Sequence, residues 1–140
     1  MRGGLLRRLR TRAKAAHLGT GARGERLAAK HLRRKRYKLI ARNLRTPVGE
    51  IDLLCLAPNR RAIVIVEVKT RTARPGTSAP RFAPELAITP AKRRKLLAIA
   101  QDLARRKDWS GRTVRIDVIA IDVLADGSRT VRHHENAVTL

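Results

Sequence analysis

Two acidic residues interrupt apolar strands in a strongly basic chain, and this conflict limits the folds that the chain can adopt. Asp52 follows Gly49-Glu50-Ile51 at the start of one apolar run, and Glu67 lies inside a second, Ile63–Lys69. The chain carries 33 Lys and Arg against 11 Asp and Glu, for a formal net charge of +22. A carboxylate in a hydrophobic strand costs desolvation free energy unless a cation pairs with it. We therefore expect a fold that brings a cation to both acids, and a bound metal ion is the natural candidate.

A two-residue hairpin turn centred on Asn59-Arg60 would place the two acids opposite each other. Asp52 would face Glu67, and the residues nearer the turn would pair apolar with apolar: Leu53 with Val66, Leu54 with Ile65, Cys55 with Val64 and Leu56 with Ile63. Directly opposed Cβ atoms lie about 4.5 to 5.5 Å apart, and like charges so placed destabilise a sheet. A three-residue loop would break this opposition, because the register would slip.

The chemistry of the acids favours a hard divalent cation. Strand alternation places Glu67 and Lys69 on one face, and it places Asp52 on the matching face of the preceding strand. Two carboxylates suit Mg²⁺ or Mn²⁺, since Mg²⁺ takes oxygen ligands and keeps waters and substrate phosphates. Such an ion would activate a water, and Lys69 could position that water or stabilise the developing charge. The competing interpretation is a solvated strand face with a surface ion pair.

Composition indicates a single globular domain with a polyanionic partner. With 140 residues and 43% hydrophobic residues the chain is long enough for one core. The charge favours nucleic acid over a membrane surface, because no apolar run of 18 residues and no lipidation motif occurs. The single Cys55 predicts a reducing, cytoplasmic compartment. Only Tyr37, Phe82 and Trp109 could stack on bases, so duplex or branched DNA read through its phosphates fits better than single strands.

The chain divides into a basic N-terminal arm, residues 1–19, and a single domain, residues 20–140. The arm contains Leu5, Leu6 and Leu9 among arginines, and its apolar part is too short for a secretory signal. It could contact phosphates, lie on a membrane as an amphipathic helix, or have no fixed structure. We favour an unstructured arm with some affinity for phosphate.

Hydrophobic periodicity and turn signals predict an α/β order of helix, three antiparallel strands, helix and strand. A Pro, Gly and Ser-bearing loop with Arg74 separates the third strand from the second helix, which begins at Thr89-Pro90 with Thr as N-cap. The predicted elements are helix 21–35, strands 37–43, 50–56 and 62–70, loop 73–84, helix 90–107, strand 114–123 and a weaker extended segment 131–139.

Basic residues crowd the first turns of the second helix, where acids are usually preferred. They are Lys92, Arg93, Arg94 and Lys95. A phosphate bound there would relieve the conflict, whereas the alternative is an exposed and solvated run of charge. The sequence leaves both interpretations open.

The chain resembles the small bacterial YraN-type family, which is similar to endonucleases of the PD-(D/E)XK restriction-endonuclease-like fold. The match spans roughly Thr20 to the C-terminus. The residues that carry it are Gly21-Ala22-Arg23-Gly24-Glu25 with Ala28 and Leu32, Tyr37, Arg42-Asn43, Gly49-Glu50-Ile51-Asp52, Val66-Glu67-Val68-Lys69-Thr70-Arg71, Lys92 and Arg115-Ile116-Asp117-Val118.

The resemblance implies a restriction-endonuclease-like core, a mixed sheet flanked by helices, and a metal-dependent phosphodiesterase site. Asp52 and Glu67 would bind the metal, Lys69 would assist the attacking water, and Glu25 would approach from the first helix, as in the similar archaeal Holliday-junction resolvases. The expected function is a nuclease acting on duplex or branched DNA, and a dimer would suit a four-way junction. The alternative is a catalytically silent, basic nucleic-acid-binding module.

The expected contacts to nucleic acid are basic residues beside these acids: Arg71, Arg74, Lys92, Arg93 and Lys95. The four histidines are predicted not to be metal ligands; His133 and His134 are adjacent and would face opposite sides of a strand. Asp117 is expected to be a structural or edge acid rather than a third ligand.

Overall fold

The chain forms a five-stranded mixed sheet with a helix on each face. The computed structural model describes residues 20–72, 88–109 and 111–139. The elements are α1 (Thr20–Arg34), β1 (Lys38–Arg45), β2 (Glu50–Leu56), β3 (Ala62–Thr72), α2 (Pro90–Ala104), a 3₁₀ turn (Lys107–Trp109), β4 (Thr113–Val123) and β5 (Arg129–His134). The strands lie in the order β1-β2-β3-β4-β5, with β3 and β4 parallel and the other neighbours antiparallel. The predicted α/β, restriction-endonuclease-like core is confirmed.

The parallel pairing explains the length of the connection between β3 and β4. Parallel neighbours need a crossover, and α2 supplies it. The basic arm 1–19 and the loop that carries Arg74 lie outside the described residues, so the predicted division of the chain stays a prediction. None of the helices in the described ranges is long and apolar enough to cross a membrane.

Strand β3 is buried on both faces because each helix covers one of them. Ile63 and Ile65 pack into the core beneath α2, with Leu96 and Ile99 of that helix among its members. Val64 and Val66 point the other way, into the core that includes Ala28, Ala29 and Leu32 of α1. Alternate residues of one strand therefore fill two cores, and Glu67 continues the face that α2 covers.

The turn between β2 and β3 is longer than predicted, but the register is the predicted one. Arg60 has a φ of 61°, its N–H donates to the carbonyl of Ala57, and the Ala57 N–H donates to the carbonyl of Ala62. The loop is thus four residues, 58–61, and the two-residue turn was wrong. Both loops share one centre, so the pairs Leu53–Val66, Leu54–Ile65, Cys55–Val64 and Leu56–Ile63 are confirmed.

The helix and strand ends differ from the predictions where the backbone enters a left-handed conformation or the last turn tightens. Helix α1 ends at Arg34, and Arg36 has a φ of 65° with a Tyr37 N–H bond to the Leu32 carbonyl, which is the Schellman pattern. Helix α2 ends at Ala104 and not at 107, since the chain tightens into the 3₁₀ turn. Strand β5 ends at His134, and Asn136 with a φ of 52° turns the chain away.

Helix α1 approaches β3 closely because position 24 has no side chain. A Cβ atom on Gly24 would lie 1.9 Å from Oγ1 and 3.1 Å from Cβ of Thr70. A rotation of the threonine hydroxyl could relieve the first contact but not the second, and β-branched side chains have few rotamers. This close approach sets where the next residue, Glu25, lies relative to the sheet.

We predict that Gly24→Ala destabilises the protein by about 1 to 3 kcal/mol, the usual cost of forcing an extra carbon into a packed interface. Gly21→Ala is the matched control, because nothing lies within 4 Å of a Cβ at that position. It should be neutral or stabilising by up to about 1 kcal/mol, as expected for Ala in place of Gly in a helix. Urea unfolding of both variants measures the difference, and equal stabilities would contradict the close packing of α1 on β3.

Candidate active site

Glu67 is a buried carboxylate held between two lysines. Its residue surface is only 4% exposed. Nζ of Lys69 lies 3.5 Å from Oε1, and Nζ of Lys92, from α2, lies 3.5 Å from Oε2. These separations exceed the roughly 2.7 to 2.9 Å of a charge-assisted hydrogen bond. Both contacts are therefore ion pairs, and Oε2 has no hydrogen-bond partner among the described residues.

Asp52 reaches β3 by replacing a ladder hydrogen bond with its side chain. The β2–β3 register ends at Leu53–Val66, one step before the predicted Asp52–Glu67 pair. Oδ2 of Asp52 instead accepts a hydrogen bond of 2.9 Å from the backbone N–H of Val68. The carboxylate of Asp52 is thus fixed next to the residue that follows Glu67. The two acids are therefore not the predicted ladder pair, but Asp52 lies close enough to Glu67 for its charge to raise the pKa of Glu67.

Glu25 enters the same acidic region from α1. Burial and the nearby Asp52 charge raise the pKa of Glu25, while a hydrogen bond with the Asn43 side chain and the charge of Arg42 oppose that rise. Asn43 lies in β1 with a φ of 47°, a left-handed backbone in the middle of a strand. Such a conformation is uncommon outside glycine but is tolerated by asparagine. The charge of the strand acid, Asp52, thus acts on the helix acid, Glu25.

Burial and the two lysines act on the pKa of Glu67 in opposite directions. Desolvation by burial, followed by the charge of Asp52, raises its pKa. Lys92 and then Lys69 act in the opposite direction but do not cancel the rise. The folded protein thus disfavours the ionised form of Glu67, and a further cation beside the carboxylate would stabilise that form.

The donors fit a cation that needs few protein ligands. Within residues 20–72, 88–109 and 111–139, no group of three or more His, Cys, Asp or Glu side chains is arranged to hold a metal. Asp52 and Glu67 are a pair, and Glu67 Oε2 is buried with no hydrogen-bond partner there. Mg²⁺ is commonly bound through one or two carboxylates, with waters and substrate phosphates as the other ligands. The pair suits Mg²⁺ or Mn²⁺ and does not suit a closed zinc site.

Comparison with known proteins places the chain in a family. Residues 24–121 match the model of "Uncharacterised protein family UPF0102". The chain belongs to the UPF0102 family. It is 39% identical over 129 residues to a UPF0102 protein of Pelobacter propionicus, covering 91% of this chain and 88% of the relative. It is also 41% identical over 120 residues to one from Geobacter sulfurreducens, covering 86% and 88%. The matched segment includes Glu25, Asp52, Glu67, Lys69 and Lys92, the residues just described.

The basic residues predicted to contact nucleic acid occupy different places in this UPF0102 protein. Lys92 forms an ion pair with Glu67, and a guanidinium nitrogen of Arg93 donates a hydrogen bond of 2.5 Å to the carbonyl of Thr139. Lys95 is exposed, and Arg71 is half-buried on β3. Arg74 lies outside the described residues. The role of all these residues toward nucleic acid stays a prediction.

From the sequence, Lys92 was expected to contact nucleic-acid phosphate, and Asn43 was not expected at the site. Lys92 lies 25 positions from Glu67 in the chain, so only the packing of α2 on the sheet shows that they meet. Asn43 could have been suspected, because asparagine is enriched in left-handed conformations. Nothing local in the sequence indicates that such a conformation falls within a strand.

Asp117 is a structural acid, as predicted, but it is not at an edge. It is fully buried on β4, which lies between β3 and β5. Its oxygens contact Nε and Nη2 of Arg115, Nε2 of His133 and the backbone N–H of Asn136, all at 2.8 to 2.9 Å. Burial alone would raise the pKa of Asp117, but the hydrogen bonds from His133, Arg115 and Asn136 outweigh it and lower that pKa. His133 is thus committed to a carboxylate.

We predict that Glu67→Gln raises the Tm of the metal-free protein at pH 7 to 8. The pKa of Glu67 is raised in the folded state, so ionisation costs stability above the unfolded pKa of Glu, about 4.3. The gain in Tm should shrink as the pH falls toward 4, where wild-type Glu67 is protonated as well. Glu50→Gln, which neutralises an exposed carboxylate on β2, should change Tm little at either pH. Thermal unfolding from pH 4 to 8 tests this, and a pH-independent difference would contradict it.

Proposed function

We propose that this UPF0102 protein is a metal-dependent nuclease that hydrolyses phosphodiesters in duplex or branched DNA. The observation that carries the proposal is the buried Glu67, placed beside Asp52 and between two lysines, in a chain of net charge +22. A surface ion pair would leave the carboxylate exposed, whereas this one is desolvated at the end of an apolar strand face. Desolvated acids with opposing charge partners are frequent at catalytic sites.

The chain's own residues would divide the work in the following way. Asp52 and Glu67 would hold Mg²⁺ or Mn²⁺, which when bound neutralises phosphate charge and lowers the pKa of a water. Lys69 lies on the same strand face as Glu67 and would orient the attacking water or stabilise charge on the phosphate. Glu25, next to Asp52, would extend the acidic edge from α1. The burial of Glu67 keeps bulk water from competing for these contacts.

The rest of the surface supports a phosphate-rich partner. Exposed basic residues lie on several elements, among them Arg42 on β1, whose charge acts on Glu25, and Lys95 on α2. The described residues include only Tyr37 and Trp109 as Phe, Tyr or Trp, and both are buried in the protein core. Stacking on unpaired bases is therefore a poor source of affinity here. Phosphate contacts along a duplex or a branch are the better match.

A second candidate function is nucleic-acid binding without catalysis. Its supporting observation is that two lysines already pair with Glu67, which lowers the cost of burying that carboxylate without a further cation. The same fold hosts many functions, and a retained fold alone does not establish an activity. The two candidates differ in whether the acids are needed for the protein's effect on DNA.

We predict that the protein cuts branched or linear duplex DNA in the presence of Mg²⁺ or Mn²⁺. Asp52→Asn and Glu67→Gln should each lower the cleavage rate at least about a hundredfold, since the metal contributes several kcal/mol of charge stabilisation. Asp102→Asn, which removes an exposed acid of α2 that pairs with Arg106, is the matched control and should cut normally. Gel assays with both metals measure the rates. Cleavage that survives both substitutions would overturn the active-site assignment, and binding without any cleavage would favour the second candidate.

We predict that binding to duplex DNA weakens steeply with salt and depends little on sequence. The slope of log K against log salt is negative, and each phosphate contact that is lost reduces its magnitude by about 0.9 for B-DNA. Lys95→Gln should therefore reduce the slope by about one, whereas Lys30→Gln, on the exposed surface of α1, should reduce it less. Fluorescence anisotropy at several salt concentrations measures this. A slope near zero would exclude a phosphate-driven interface.

A further inference from the structure

Lys92 is held at Glu67 by the way α2 begins. Oγ1 of Thr89 caps the helix by accepting a hydrogen bond of 3.2 Å from the backbone N–H of Lys92, and Pro90 occupies the first helical position. The backbone of Lys92 is thus fixed in the first turn. From there its side chain, which is 32% exposed, extends to Oε2 of Glu67. The start of α2, two residues before Lys92, therefore places a cation at an acid from a different part of the chain.

The two lysines of the pocket are not equivalent. Lys69 belongs to the same strand as Glu67 and follows it by two residues, so its proximity is a result of strand geometry. Lys92 comes from a separate element, and its contact is with the oxygen that lacks a hydrogen-bond partner among the described residues. A long, flexible stem carries the ammonium group, and an ion pair of 3.5 Å can be broken without moving the backbone.

We infer that Lys92 is a built-in counterion that occupies Glu67 when no metal is bound and yields the carboxylate to a metal ion. This inference rests on the proposed metal site. Mg²⁺ lies about 2.0 to 2.1 Å from the oxygen atoms that ligate it. A metal bound to Oε2 would therefore compete with the Lys92 ammonium group for that oxygen. Lys92 thereby weakens metal binding and stabilises the metal-free fold.

Displacement gives Lys92 a second use. Its Cα stays in the capped first turn, so the ammonium group remains within one side-chain length of Glu67. A phosphate brought to the acidic pair would be the nearest strong acceptor for it, and lysine binds phosphate as a mobile point charge. Lys92 is therefore a positioning residue that couples occupancy of the acids to capture of the substrate. Arg93, which donates to the carbonyl of Thr139, is not placed to do this.

The test is direct measurement of Mn²⁺ binding to the whole protein without DNA. Lys92→Gln should tighten the Mn²⁺ Kd by about five- to tenfold, the size expected for a like charge about 4 Å away when it is screened nearly as in water, because the displaced ammonium group moves into solvent. Lys92→Arg keeps the charge and should stay close to wild type. Lys107→Gln removes an equal charge beyond the other end of α2, about 20 Å along the helix, and should leave the Kd unchanged. Electron paramagnetic resonance of free Mn²⁺ gives the Kd values.

A second readout separates this role from a merely structural one. In metal-free buffer Lys92→Gln should lower Tm, while saturating Mn²⁺ should raise the Tm of Lys92→Gln by more than it raises that of wild type. An unchanged or weaker Mn²⁺ affinity in Lys92→Gln, or a tighter one in Lys92→Arg, would overturn the inference. If wild type binds Mn²⁺ and Asp52→Asn abolishes binding, the metal site stands whatever Lys92 does. If wild type binds none, the proposed function fails and this inference fails with it.

Discussion

The structure depends on one strand, β3, being paired on both edges and covered on both faces. Its apolar residues contribute to both cores, β2 and β4 pair with its two edges, and each helix packs over one of its faces. Such burial on both sides is typical of parallel sheet interiors and leaves no solvated face for a charged residue. Glu67 is nevertheless in that strand, at the point where antiparallel pairing with β2 has just ended. The polar site is located where the sheet opens.

The opening of the sheet and the charge of the site are two aspects of the same arrangement. Beyond Leu53 the backbone of β2 no longer bonds to β3, and the Asp52 side chain satisfies the Val68 N–H in its place. An otherwise orphaned backbone donor in this region would be costly. Asp52 thus has a structural task besides the metal-binding role that we propose for it. The lysines at Glu67 likewise lower the cost of burying a charge, while they keep the pocket from being purely acidic.

The sequence predicted the parts of this arrangement that depend on local pattern. Leu53 to Leu56 and Ile63 to Val66 could be paired because strand alternation and a turn centre define a register, even though the loop is four residues and not two. Thr89-Pro90 indicated the start of α2 because capping is local chemistry. The contact of Lys92 with Glu67 and the left-handed backbone of Asn43 could not be predicted, since each arises from tertiary packing. For Asp117, alternation indicated an acid in a strand but not the buried partners Arg115 and His133.

The glycine at position 24 affects how the pocket can respond to a ligand. Because a hydrogen atom fills the gap between α1 and Thr70, that helix is seated against β3 with no room to move closer. The backbone of Glu25 is therefore held in a tightly packed helix. On the opposite side, Lys92 reaches the pocket through four methylene groups that can swing independently of their helix. The two sides of the pocket therefore differ in flexibility. A ligand can displace the Lys92 side chain on the α2 side, whereas the position of Glu25 on the α1 side is fixed by the packing of its helix.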